Sequence, residues 1–502
     1  MTHKVLIFVV AYQAESTLAG VLDRIPPLPR DVDVEVLVID DSSSDRTFEV
    51  GLQSRVAPGM RVTVLSNPTN QGYGGNQKLG YAYAIRNGFD VVVLLHGDGQ
   101  YAPECIPTLL QPLLDDAADA VFGSRMMVPG AARRGGMPLY KFVGNKILTW
   151  CQNRLLRTHL SEFHSGFRAY RVSALAKIPF QYNANVFHFD TEIIIQLVLG
   201  GFRIVEVPIP TYYGDEICRV NGMRYGVNVL QATLGSRLHG INLLYDRKFD
   251  VDSANRYYGL KLGYRSSHTA AIDTVPAGAR VLDIGSGPGL VATELVRKGC
   301  VVDGADQWAP IDSGVFNTFH VWREPEPLAV DLRAYDWVLL LDIIEHLTQP
   351  ERFLDALRDS ARSLGDRPRI IVTTGNVAFL VVRLQALIGR FNYGKRGILD
   401  LTHTRLYTFK TLRHLFEQCG FRITRVEGIP APFPLALGAN ALARAAMRVN
   451  ELLIRLAPGL FAYQIFMEAT PTPTVEALLD NSIRESTKRA DVLAASGVER
   501  AR

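Results

Sequence analysis

The chain lacks any run of about 18 uncharged apolar residues, the length a helix needs to cross a bilayer; the nearest approach, Gly428–Ala446, is interrupted by Arg444. No membrane span is expected. The first residues, Met-Thr-His-Lys and a short apolar run to Val10, have neither the basic flank nor the cleavage site of a secretory leader, and read as a first buried strand. Cysteine is scarce. The five (Cys105, Cys151, Cys218, Cys300, Cys419) are scattered, odd in number and without a CxxC pair, which excludes a disulfide framework or zinc site and fits a reducing cytoplasm. Blocks of like charge are also missing. A net charge of +4 without concentrated Lys/Arg argues against nucleic acid as a partner and leaves anionic small molecules or a membrane surface.

What is present is enough apolar sequence for two cores. At 502 residues the chain exceeds the roughly 250–300 at which single cores stop growing. Apolar runs at Val5–Val10, Val34–Ile39, Arg61–Leu65 and Val91–Leu95 alternate with amphipathic segments, the pattern of a parallel sheet with helical crossovers. A second series follows at Arg280–Ile284, Cys300–Gly304, Trp337–Leu341 and Arg369–Thr373. The expected organisation is an α/β domain over 1–222, an amphipathic helical linker over 223–262, a second α/β domain over 263–428 and a helical extension over 429–502. The domain boundary is placed near Asp250–Arg265. The linker reads either as a helix packed on the first domain or as a basic face for anionic lipid. Gly428–Phe466 reads either as a packed helical hairpin or as an interfacial patch, and 470–502 as a frayed helical tail.

Four patterns in the first half fall in an order suited to a nucleotide-sugar. Val9–Glu15 runs from a strand into a loop where a base and ribose can rest on backbone and Tyr12. Val38–Thr47 empties a buried strand into Asp40 and Asp41, carboxylates suited to a nucleobase and ribose. Asn70–Lys78 is a glycine-rich turn into a helix that brings backbone amides and Lys78 toward phosphate. Leu94–Gln100 ends in Asp98, which can hold a divalent cation against a pyrophosphate.

Together with Phe122-Gly-Ser-Arg125, His164-Ser-Gly-Phe-Arg168-Ala and Phe189-Asp190-Thr-Glu192, these patterns resemble the family 2 glycosyltransferases, in particular those like dolichyl- or polyprenyl-phosphate sugar synthases, over about residues 3–215. The resemblance implies a GT-A, Rossmann-like fold, Asp40 and Asp41 near the nucleoside, Asp98 at Mg²⁺ or Mn²⁺, Gln100 beside it, and Asp190 or Glu192 near the acceptor as a catalytic base. The family's metal motif usually has two acids around one residue. This chain has His96 in the first place, either as a second metal ligand or as a packed strand-end residue. Gln13 stands where Asn is common. Arg125 and Arg168 are candidates for phosphate on donor or lipid acceptor, as are Arg133 and Arg134.

In the second half, Arg280–Gly289 is a strand and glycine turn whose missing side chains let a cofactor lie on the backbone. Asp283 would orient the loop, Gly285, Gly287 and Gly289 would hold the cofactor, and Asp306 would take the ribose hydroxyls. Tyr335–Leu347, with Asp342 and His346, and the region Asn376–Tyr407 resemble class I S-adenosylmethionine-dependent methyltransferases, with coverage of about residues 255–428. The resemblance implies a Rossmann-like fold and S-adenosyl-L-methionine, with Asp342 to His346 bordering the methyl group and His346 or His403 available as a base. The sequence thus reads as a bifunctional enzyme of one glycan pathway. It would take a sugar from a nucleotide-sugar donor to a polyprenyl-phosphate or glycan acceptor, in the cytoplasm or peripherally at the inner face of the membrane. The alternatives are a chain with one active domain, or a non-catalytic nucleotide-binding scaffold.

Overall fold

The computed structural model describes residues 3–29, 32–212, 221–241, 244–251, 262–310, 313–361, 368–438 and 440–495. The chain divides into two compact units, one of Met1–Gly240 with Asp246–Tyr257, the other of Ile241–Tyr245 with Tyr258–Arg502. The boundary expected at Asp250–Arg265 falls largely outside the described residues.

The first unit carries, among the described residues, a seven-stranded sheet of β1 (His3–Ala11), β2 (Val32–Asp40), β3 (Arg61–Ser66), β4 (Val91–His96), β5 (Ala120–Ser124), β6 (Arg168–Arg171) and β7 (Ile204–Pro208) in the order β3-β2-β1-β4-β6-β5-β7. Strand β6 runs antiparallel to both of its neighbours. The central strands read as continuous apolar runs because both faces are covered: Val5, Ile7, Val9, Val36 and Val38 enter one core, and Leu6, Phe8, Leu37 and Ile39 the other. Gly80 lets the helix Gly72–Arg86 lie directly on this sheet, since a Cβ there would stand 2.1 Å from the Phe8 ring. The segment expected as a linker starts with the helix Gly222–Gly240, which packs on the helices Leu139–Leu156 and Phe189–Gly200 and belongs to this unit. Its buried positions, Val229, Ala232, Thr233, Ser236 and His239, explain why.

The second unit repeats the principle with β8 (Arg280–Ile284), β9 (Val301–Asp306), β10 (Phe319–Val321), β11 (Trp337–Leu341), β12 (Arg369–Gly375), β13 (Phe421–Ile429) and β14 (Gln464–Pro471), ordered β10-β9-β8-β11-β12-β14-β13 among the described residues. Strand β14 corrects the helical extension expected over 429–502. Gln464–Pro471 is inserted antiparallel between β12 and β13, with Ile465, Met467 and Ala469 in the core. A domain ending at residue 428 would leave β13 without a partner strand and β12 paired on one edge only.

Candidate active sites

In the first unit the strand order reverses between β1 and β4, and the loops there open on a cleft of about 1250 Å³. That exceeds the roughly 300–1,000 Å³ of a typical small-ligand site and leaves room for two substrates. Tyr12 follows β1, Asp41 follows β2, and His96, Asp98 and Gln100 lie at the end of β4; Arg125 and Asp190 complete the lining of interest. The buried Asp41 carboxylate accepts hydrogen bonds from Gln71 N (2.8 Å), Gly72 N (2.9 Å) and Asn67 Nδ2 (2.7 Å), so it fixes the glycine turn. Gly72 is required twice over: its φ is +76°, and a Cβ would stand 2.6 Å from Asn185 O.

That turn delivers Tyr73, which organises the cleft floor. Its hydroxyl donates to Asp190 Oδ2 at 2.9 Å, while Gln77 Nε2 donates to Asp190 Oδ1 at 3.1 Å. Burial, and then the Asp190 charge, push the Tyr73 phenol well above its ordinary range, so it stays a donor. His96 Nε2 lies 3.2 Å from the same hydroxyl, and the ring packs edge-on against Tyr73 and Tyr101. Burial lowers the pKa of His96 against the opposing pull of Asp98. With the Tyr73 proton given to Asp190, His96 Nε2 carries the hydrogen toward Tyr73, and the lone pair of the neutral ring is on Nδ1. Asp98 is exposed and accepts a local bond from Gln100 N, 3.0 Å. No cluster of three or more His, Cys, Asp or Glu is gathered for a metal among the described residues.

On the Arg125 side, the guanidinium pairs with buried Glu162, which also accepts from Asn145 Nδ2 at 2.8 Å. Burial alone would raise the Glu162 carboxyl, but Arg125 outweighs it and holds it charged. His164 Nδ1 lies 2.9 Å from Tyr225 Oη, and burial lowers this imidazole to about 4, keeping it neutral.

The three glycines of the second unit's turn have different jobs. A Cβ at Gly285 would meet Ile343 at 2.4 Å and one at Gly289 would meet Phe316 at 3.0 Å, whereas Gly287, at φ +53°, faces open space. Gly287 N donates to Asp306 Oδ2 at 2.9 Å, which sets the acid beside the turn. Beneath it, burial and the nearby Asp306 push Asp283 up to about 7. Asp342 sits at φ +54°, a strained setting for a residue with a side chain. It is held there by Thr373 Oγ1 (2.8 Å), Ser267 Oγ (3.2 Å) and Gln464 Nε2, which reaches both carboxylate oxygens at 2.9 and 3.0 Å.

His346 Nδ1 lies 3.3 Å from Thr402 O and His403 Nδ1 lies 3.0 Å from Ile398 O, with the rings edge to face at 4.8 Å. A carbonyl only accepts, so both rings carry hydrogen on Nδ1 and keep Nε2 as the basic nitrogen. Glu345, buried 4.0 Å from His403 Nε2, is pushed up to about 8 by burial and by Asp342.

Known proteins resolve the two halves separately. A model described as glycosyl transferase family 2 matches residues 6–179, and one described as a methyltransferase domain matches residues 260–426. An undecaprenyl-phosphate mannosyltransferase of Micrococcus luteus is 31% identical over 235 residues, covering 45% of this chain and 90% of the relative. The chain belongs to the family 2 glycosyltransferases. A polyprenol monophosphomannose synthase of Mycolicibacterium smegmatis is 30% identical, with 41% of this chain and 77% of the relative covered. A UDP-N-acetylglucosamine–dolichyl-phosphate N-acetylglucosaminyltransferase of Methanococcus voltae is 28% identical, with 46% and 92% covered. This transferase thus has a GT-A glycosyltransferase unit followed by a methyltransferase unit.

In the glycosyltransferase unit the cleft gathers Tyr12, Asp41, His96, Asp98, Gln100, Arg125 and Asp190, but four expected residues are used elsewhere. Asp40 accepts from Ser43 N and Ser66 Oγ and is buried. Lys78 Nζ donates to Asn183 O and to Asn185 Oδ1, 2.6 Å, bracing that loop instead of reaching phosphate. Arg168, almost fully buried, donates to Phe163 O, Ser165 O and Asp190 O, a strut behind the acid. Glu192 is no base for the cleft. Its oxygens accept from Lys248 Nζ (2.8 Å) and Ala184 N (2.6 Å), away from Asp190. Residues i and i+2 diverge by about 200° on a helix, so these two acids never shared a face. Tyr73, Gln77 and Gln464 were missed; only the Tyr inside a glycine turn carried a signal.

Proposed function

We propose that the glycosyltransferase unit moves a sugar from a nucleotide-sugar onto a polyprenyl phosphate, and that the methyltransferase unit uses S-adenosyl-L-methionine to methylate an intermediate of the same glycan pathway. The observation that carries the acceptor is the state of Asp190. Both of its oxygens already accept hydrogen bonds, from Tyr73 and Gln77, and Arg168 Nη1 stands 3.7 Å from Oδ1. Both oxygens are thus committed to neighbouring donors, and an ionised phosphate nucleophile needs no base. The names of the relatives point to the same acceptor class.

On this reading Tyr12 supports the base, Asp41 holds the glycine turn against the nucleotide, Arg125 attracts the acceptor phosphate, and Asp190 keeps Tyr73 in place on the cleft floor. The acceptor oxygen forms the new bond at the anomeric carbon as the bond to the diphosphate breaks, inverting that centre. Asp98 suits Mg²⁺ or Mn²⁺, since such ions keep several waters and take one or two carboxylates plus substrate phosphates. When bound, the ion would neutralise charge on the departing diphosphate. His96 orders Tyr73 through its Nε2. In the methyltransferase unit the open face at Gly287 and the Asp306 carboxylate fit a nucleoside cofactor, which would supply the electrophilic methyl group. His346, with its basic Nε2 exposed, would take the acceptor proton. The site of action would be the cytoplasm, with peripheral contact at the inner face of the membrane.

The test uses the purified full chain with UDP- and GDP-sugars, Mn²⁺, and either a short-chain polyprenyl phosphate or the corresponding alcohol. Product from the phosphate alone is expected. Transfer to the alcohol at a comparable rate would remove the argument from Asp190.

A further inference from the structure

Arg125 leaves the end of β5 and its fork is held by two acceptors. Nε and Nη2 donate to Glu162, and Nη2 donates as well to the main-chain oxygen of His164 at 3.1 Å. Each acceptor is steadied by a helix. The helix Leu139–Leu156 turns polar side chains inward, burying Asn145, Thr149 and Gln152 while Ile147 and Trp150 stay exposed on the outside. That inverts the usual arrangement of a surface helix, and it has a use: Asn145 Nδ2 donates to Glu162 Oε1 at 2.8 Å, and Thr149 Oγ1 donates to Asn145 Oδ1 at 3.2 Å, which sets the amide the right way round.

The second acceptor is reached from the helix Gly222–Gly240. Tyr225, in its first turn, lines the cleft, and its Oη lies 2.9 Å from His164 Nδ1 with the rings edge to face at 5.6 Å. Burial, and then the Asp190 charge, push the Tyr225 phenol above its ordinary range, so it keeps its proton, while burial keeps His164 neutral. The phenol therefore donates to Nδ1, the acceptor it meets among the described residues, and the ring hydrogen sits on Nε2. That nitrogen is buried and meets no partner among the described residues. One bond to Tyr225 thus sets the rotation of the imidazole. A guanidinium grips a phosphate through paired N–H bonds whose direction follows its plane, so a tilt weakens it where a point charge would tolerate the change.

We propose that Tyr225 and His164 are positioning residues for Arg125: the hydroxyl of Tyr225 fixes the His164 ring, the main chain of His164 fixes the Arg125 fork, and the seating of the helix Gly222–Gly240 thereby sets how tightly the cleft holds the acceptor phosphate. The inference rests on the reading of Arg125 as the group that attracts that phosphate. Neither Tyr225 nor His164 takes part in bond making.

The experiment is a calorimetric titration of the full chain, in Mn²⁺ with UDP or GDP present, by a water-soluble short-chain polyprenyl phosphate. Tyr225→Phe is expected to weaken binding about 3- to 10-fold and to leave the affinity for the nucleoside diphosphate unchanged. His164→Ala should weaken it by a similar factor, and His164→Asn, whose amide oxygen can take the place of Nδ1, should restore most of the loss. The double variant Tyr225→Phe/His164→Ala should bind no worse than the weaker of the two single variants, because both break one chain of contacts. A second measurement needs no ligand: nitrogen NMR of the imidazole should show hydrogen on Nε2 of His164 in the natural chain and loss of that single tautomer in Tyr225→Phe. Unchanged phosphate binding in both single variants, additive losses in the double variant, an equal loss of nucleoside diphosphate binding, or hydrogen found on Nδ1 would each overturn the dyad. If the natural chain binds no polyprenyl phosphate under these conditions, the polyprenyl-phosphate reading fails and the role given to the dyad fails with it, whereas failure of the variants alone leaves that reading standing.

Discussion

Single side chains divide here into those that touch substrate and those that hold the first group in place, and the two kinds predict different losses. Tyr73→Phe removes the donor to Asp190 and leaves a charged acceptor short of a partner, which costs about 1.5–3 kcal/mol. A fall in kcat/KM of roughly 10- to 100-fold is expected, with binding of the donor's nucleoside diphosphate unchanged in a calorimetric titration. Glu192→Gln breaks the buried pair with Lys248, and removing one member of such a pair costs about 3–5 kcal/mol. Its melting temperature should drop by several degrees while the folded fraction keeps its rate, whereas a catalytic Glu192 would show the reverse.

Titration at the residue scale has opposite signs in the two units. Glu345 at about 8 and Asp283 at about 7 lie above their unfolded values, so the folded methyltransferase unit keeps protons that the unfolded chain has released. Its stability should be full below about pH 4 and decline toward pH 8, a slope that Glu345→Gln should reduce in melts across pH 5.5–8.5. His164, lowered to about 4, acts the other way. The glycosyltransferase unit should lose stability as pH falls from about 6.5 toward 4.

At the scale of elements, the legible strands were those buried on both faces. Strands β1, β2, β4, β8, β11 and β12 are nearly unbroken apolar runs, and a run of that kind is visible without neighbours. Strand β6, Arg-Ala-Tyr-Arg, has no such run, because Arg168 is a buried strut and Arg171 is tied to Leu113 O and Ala118 O at its end. Strand β14 has the composition of a strand, but its place is set by β12 and β13, which lie far upstream. Ending the chain at residue 428 should therefore unfold the methyltransferase unit. Ending it at residue 474 removes the largely exposed helix Val475–Ala495 with the residues that follow it, and should move the melting temperature by no more than about 1–2 °C, since surface changes away from special contacts stay within roughly ±0.5 kcal/mol. Circular dichroism of the two truncations distinguishes these outcomes.

For the whole molecule, two cores mean that a single melting transition is not the expected behaviour. A ligand at 100 times its dissociation constant stabilises its own core by about 2.7 kcal/mol. In a calorimetric scan, UDP or GDP with Mn²⁺ and S-adenosylhomocysteine should each raise a different transition; one transition moved by both ligand classes would contradict separate sites. The sequence by itself determined the two α/β halves, the order of the ligand loops and the placement of Asp41, Asp98 and Asp306, because a strand end and the loop after it are local. Tertiary structure decided which of two neighbouring acids faces the cleft, that Lys78 and Arg168 brace backbone, that Gln464 from a late strand steadies Asp342, and that one helix turns its apolar side outward. Those outcomes depend on what lies across the sheet or around the helix, and a linear pattern records spacing along the chain but not the partner each side chain meets.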